Sequence, residues 1–177
     1  LLSFLSLLLL ITACNTDTSQ ELKLNELKYF ETHGVNVLVY NNLFTGGFND
    51  EKTAGIEIIH HGVRTAQGGA IRLSNTPEQW DLVPEIPTRT VDSLTNTIES
   101  ILRFPDYDFE SRVVVSPKGK GVEIAVYLDK PVPKELEGDA GFNLEFLPSQ
   151  YWGKTYLMDG RINRFPPPPV QRYGAYR

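Results

Sequence analysis

From Leu22 onward the apolar residues of this chain recur mainly at every second position, the period of a β-strand with one face buried. Leu22 and Leu24 alternate with Lys23 and Asn25, and Leu27 to Phe30 continues an extended run. Val35 to Tyr40 (VNVLVY), Gly55 to His61 (GIEIIHH), Ala70 to Leu73 and Gln79 to Val83 are further segments of strand length. The second half is more regular. It predicts strands at Thr97–Leu102, Asp108–Val115, Val122–Leu128 and Gly141–Leu147. In the third of these, Val122, Ile124, Val126 and Leu128 share one face; in the last, Phe142, Leu144 and Phe146 do. Gly46-Gly47 with Asn49-Asp50, Gly62, Gly68-Gly69, Thr76-Pro77 and Ser116-Pro117-Lys118-Gly119 punctuate the runs as turns. Only Pro133 to Gly138 hints at a helical turn.

About nine short strands without a long amphipathic helix predict an all-β domain, read here as an immunoglobulin-like antiparallel β-sandwich. A lipocalin-like barrel is the rival, and it calls for a more regular meander than residues 41–54 and 74–90 suggest.

The ends follow a different pattern. Leu1 to Ala13 (LLSFLSLLLLITA) is apolar almost all round, too short for a spanning helix of roughly 20 residues and without a 3.6-residue face. It matches the core of a secretory signal, and Ile11-Thr12-Ala13-Cys14 resembles a bacterial lipobox. That resemblance implies cleavage before Cys14, lipidation of its thiol and a polar tether over residues 14–21. The expected location is a membrane-anchored lipoprotein of the outer membrane, on its periplasmic face or the cell surface. Asp17 near the cysteine hints at an acidic export signal. The only methionine is Met158, so the leader is expected to be clipped at its start. Residues 161–177 carry Arg161, Arg164, Arg172 and Arg177, no acid, and Pro166 to Pro169, which favours polyproline II. They predict a disordered tail or linker, or a reading frame lost near residue 160. The β-sandwich is therefore placed at residues 22–160.

Composition narrows the chemistry. Apolar residues make up 41% of the chain, enough for a core, and Cys14 as the only cysteine leaves no intrachain disulfide to help it. A net charge of −5 argues against nucleic acid as a partner, because phosphate binding needs a basic face. No zinc-ligand spacing, P-loop or Gly-x-Gly-x-x-Gly motif is present.

Four stretches resemble one family together: GVNVLVYNN from Gly34, GIEIIHHGVRTAQGGAIRLSNTPEQWD from Gly55, EIAVYLDKPVPKELEG from Glu123 and GFNLEFLPSQYWGKTYLMDG from Gly141. They are similar to the N-terminal Ig-like β-sandwich region of Bacteroidetes glycoside hydrolase lipoproteins, the cellulase-like family 9. The resemblance covers about Tyr29 to Gly160. It implies a non-catalytic accessory module that braces an (α/α)-barrel hydrolase domain, with the chain truncated before that domain. The family's acid and base lie in the barrel, so no residue here is carried over as catalytic. The alternatives are a self-contained carbohydrate-binding lipoprotein, with a polysaccharide as partner, and a structural envelope module.

Glu145 is a mid-strand acid on the face opposite Leu144 and Phe146, but glycoside hydrolysis needs a carboxyl pair. His60 and His61, as strand neighbours, point to opposite faces and cannot share an ion without a bulge. Asp106-Tyr107-Asp108 offers oxygens to a loop calcium without the rest of an EF-hand, so no metal or cofactor is assigned. Trp80, Tyr151 and Trp152 are the carbohydrate or inter-domain contacts to consider. Trp80 reads first as a core plug. Tyr151-Trp152 reads first as an inter-domain contact, and either use of it exposes an apolar patch near that end.

Overall fold

The computed structural model describes residues 21–45, 50–73 and 84–169, with side chains left undescribed at 42–45 and 50–54. Among these residues are twelve strands rather than nine. They are β1 (Lys23–Leu24), β2 (Phe30–Thr32), β3 (Val35–Thr45), β4 (Asp50–His60), β5 (Val63–Arg72) and β6 (Thr88–Asp92). The others are β7 (Thr97–Phe104), β8 (Phe109–Lys118), β9 (Gly121–Leu128), β10 (Gly141–Phe146), β11 (Thr155–Met158) and β12 (Arg161–Arg164). No helix among the described residues is long and apolar enough to cross a membrane.

The all-β, antiparallel, two-sheet architecture expected from the alternation is present. One sheet has the order β1-β2-β3-β4-β5-β10, the other β6-β7-β8-β9, and β11-β12 is a separate hairpin. Each main sheet is nearly sequential, because tight turns return each strand beside its predecessor. His61 and Gly62, at φ 49° and 77°, form the β4–β5 turn, while Asp159 and Gly160, at 51° and 72°, form the β11–β12 turn. Positive φ at both central residues is the I′ geometry whose twist matches a two-residue hairpin.

Period-2 alternation builds the core. Ile98, Leu102 and Phe104 on β7 and Phe109, Val113 and Val115 on β8 point inward. They meet Phe30, Val37, Val39, Ile56 and Ile71 of the larger sheet in one buried cluster. Leu136, in a single 3-10 turn at Lys134–Leu136, closes one margin, so the short helical hint contributes a core residue. Polar side chains stitch the layers where the apolar cluster ends. Arg89 on β6 donates from Nε to the Val39 carbonyl (2.7 Å) and from Nη2 to the Lys28 carbonyl (2.6 Å). Burial lowers the Arg89 pKa by desolvating its charge. Asn41 donates to the Pro87 carbonyl (2.6 Å) and accepts from Ser100 Oγ (3.0 Å).

The structure adds to one sequence pattern and corrects one expectation. The β9 face carrying Val122, Ile124, Val126 and Leu128 is covered only at its start; Val126 and Leu128 are exposed because β9 is an edge strand. Arg161–Arg164, assigned from its charge and the prolines beyond it to a disordered tail, is a paired strand, so the ordered chain runs past Gly160. Leucine alternation does not mark β12, whose register is set by the Asp159-Gly160 turn.

Candidate functional site

The candidate site is the end where the last strands leave the sandwich. β10 pairs with β5 down to Phe146↔Ala66, and Leu147 N–H then donates to the Thr65 carbonyl at 3.0 Å. Pro148, with φ preset for a first helical position, opens the one-turn helix α1 (Pro148–Tyr151). Gly153, at φ 67°, reverses the chain into β11. The hairpin returns, and Phe165 N–H donates to the Lys154 carbonyl (2.9 Å) while Gly153 N–H donates to that of Pro166 (3.1 Å). These two bonds tie the chain entering the hairpin to the chain leaving it.

Four rings fix this exit against the sandwich. Phe165 lies 4.6 Å from the Tyr156 ring centroid, 5.2 Å from Tyr151 and 5.8 Å from Phe146, and Phe146 and Tyr151 meet edge to face at 5.1 Å. All four separations fall in the range of favourable aromatic pairs. Lys154 Nζ lies 5.6 Å from the Tyr151 centroid, within cation–π reach. Tyr151 is thus half-buried by rings, whereas Trp152, one residue on, is exposed. The two expected contact residues are adjacent but in different roles: Tyr151 holds the structure and Trp152 presents itself outward.

The opposite face of the hairpin is bare. Leu157 and Ile162 are directly paired across the strands, 71% and 80% exposed, with Met158 also exposed at the tip. Sequence reasoning placed the contact at Tyr151-Trp152 and missed this pair. The available signal was Asp159-Gly160, a hairpin dipeptide flanked by segments of strand length.

The remaining candidates stand apart from this end or lose their special status. Glu145 is exposed on β10 between two amides, accepting from Gln67 Nε2 (3.4 Å) and Asn143 Nδ2 (3.5 Å). His61 lies in the turn rather than on a strand, so its ring comes to 4.3 Å from that of His60, correcting the opposite-face reading. His61 N–H donates to Gly34 O at 2.6 Å, and a Cβ at Gly34 would strike the His61 ring. Among the described residues no group of three or more metal-ligating side chains forms. Within Asp106-Tyr107-Asp108, the Asp108 carboxylate is ion-paired with the Lys130 ammonium. The cleft beside that turn, about 370 Å³, pairs its charges further: Arg103 bridges to Glu110, whose hydrogen bond raises the Arg103 pKa. Cys14 and Trp80 lie outside the described residues.

No family model, curated protein or solved structure matches the chain.

Proposed function

We propose that this chain is the non-catalytic N-terminal accessory β-sandwich of a lipid-anchored, polysaccharide-degrading glycoside hydrolase, and that it braces and orients the catalytic domain following it. The resemblance of four stretches to such modules motivates the reading. The observation that carries it is the clamped chain exit. Phe165 is packed on three rings, the entering and leaving chains are bonded at Gly153–Pro166 and Phe165–Lys154, and Pro166–Pro169 continues outward, exposed. A chain leaving a domain through a fixed ring cluster into a proline run transmits direction, because polyproline is a semi-rigid spacer. A flexible tether would need none of these contacts.

The test is the locus itself. The expected result is that sequence downstream of Arg177 encodes several hundred residues of helical sequence, that the longer protein hydrolyses β-glucan, and that residues 1–177 alone do not. A stop after Arg177 with no further domain rejects the reading. The exposed Trp152 ring supports a second reading, a self-contained glycan-binding lipoprotein. Isothermal titration with β-glucan oligosaccharides decides it, since no heat at millimolar ligand removes that reading.

A further inference from the structure

We infer that the β11–β12 hairpin is a membrane contact that seats its apolar face in an anionic lipid surface. This goes beyond the accessory role, which rests on the chain exit and not on the bare face of the hairpin. Three observations converge on it.

The first is chemical. The outward face presents Leu157 and Ile162, while Met158 on the other face near the tip and Trp152 ahead of the hairpin are exposed as well. Exposed aliphatic side chains and an indole suit the boundary between headgroups and acyl chains. A protein partner would equally accept the aliphatic pair, but the charges favour lipid. Arg164 lies on this face, Arg161 on the other and Lys154 over the Tyr151 ring, and Asp159 is the only acid in the hairpin, in a chain whose net charge is −5. A hairpin with three cations and one acid complements anionic headgroups.

The second is mechanical. Tyr156, on the face opposite Leu157, packs on Phe165, so the ring cluster holds one side of the hairpin to the sandwich and leaves the other outward. Insertion then requires no rearrangement.

The third is topological. β1 enters the larger sheet at its Lys23↔Glu31 end, where β2 turns at His33-Gly34, β4 turns at His61-Gly62, and β10 finishes at Phe146↔Ala66. The N-terminal entry and the hairpin therefore occupy the same end of the sandwich, at opposite edges of six strands. Five interstrand spacings separate those edges by roughly 24 Å. Cys14 precedes Glu21 by seven residues, a span of at most roughly 25 Å. A lipid at Cys14 and the hairpin can reach one bilayer together.

The experiment uses the chain from Asn15 to Arg177, which keeps every described residue and removes both leader and lipidation site. It is floated with phosphatidylcholine vesicles, with and without phosphatidylglycerol. The expected result is flotation only with phosphatidylglycerol, reversed at about 0.5 M salt, where screening extends only a few ångströms. Arg161→Gln with Arg164→Gln lowers binding roughly 25-fold, about fivefold per cation. Leu157→Asp with Ile162→Asp abolishes it. All four side chains are exposed, so an unchanged melting temperature verifies that both variants fold. Absence of flotation with phosphatidylglycerol, or equal flotation of the variants, overturns the inference. Concentration-dependent self-association that Leu157→Asp removes, without vesicle binding, overturns it in favour of a second copy. None of these failures touches the downstream-domain test of the accessory reading.

Discussion

Replacing Phe165 by alanine separates the hairpin from the sandwich more directly than any other single change. Its ring is half-buried and meets three others at 4.6, 5.2 and 5.8 Å. A fully buried phenylalanine costs about 3–5 kcal/mol on truncation, and half burial scales this to about 2 kcal/mol. The ring contacts give the same order at about 0.5–1.5 kcal/mol each, shared with the partners that remain packed on one another. The loss falls on the hairpin alone, because β11 and β12 pair only with each other and none of the rings belongs to the central core cluster. Native-state hydrogen exchange reads this out segment by segment. Amides of residues 155–164 should exchange about 30-fold faster, the factor equivalent to about 2 kcal/mol. Those of β7 and β8 should not change. Equal acceleration in β8 would mean that the hairpin opens only with the whole domain, and no acceleration anywhere would mean that the rings contribute nothing; either refutes the clamp.

Three further outcomes follow from the packing. Ser111 on β8 is buried with a hydroxyl that has no hydrogen-bond partner, so Ser111→Ala should raise stability by about 1 kcal/mol in urea unfolding; a loss of stability would show that the hydroxyl is satisfied in solution. Gly69→Ala places a Cβ 2.5 Å from that of Ile56, in the core, and should destabilise by about 1–3 kcal/mol, with a neutral result refuting the close approach. Asp92 has its pKa lowered, first by the Thr95 hydroxyl at 2.7 Å and then by the Leu94 and Thr95 amides. Its stabilisation of the β6–β7 turn is therefore present above the unfolded carboxylate's pKa and lost as pH falls through the lower folded value. Amide shifts of Leu94 and Thr95 followed by NMR should titrate below the ordinary aspartate value of about 3.9, and a midpoint at or above it would refute the turn's role.

Local patterns reached as far as local physics does. Alternation identified β7 and β8 because each has one face in the core and one in water, so every second side chain is apolar. The Gly-containing turns were visible for the same reason, since positive φ admits few residue types. β9 carries the same alternation as β8, yet its last apolar residues are exposed: the pattern states which side chains share a face, not whether another layer covers it. Tyr151 and Trp152 look equivalent as letters, and only the return of Phe165 through the hairpin separates them.

An all-β chain, the course of most strands and the residues able to turn tightly were all legible locally, because these depend on steric and hydrophobic preferences over a few residues. Packing between distant segments settled that Tyr151 is half-buried against Phe146 and Phe165, that Val126 and Leu128 are exposed, and that Leu157 and Ile162 lie bare. These outcomes depend on which segments come to rest against one another, and hydrophobic burial is blind to that choice until the sheets close.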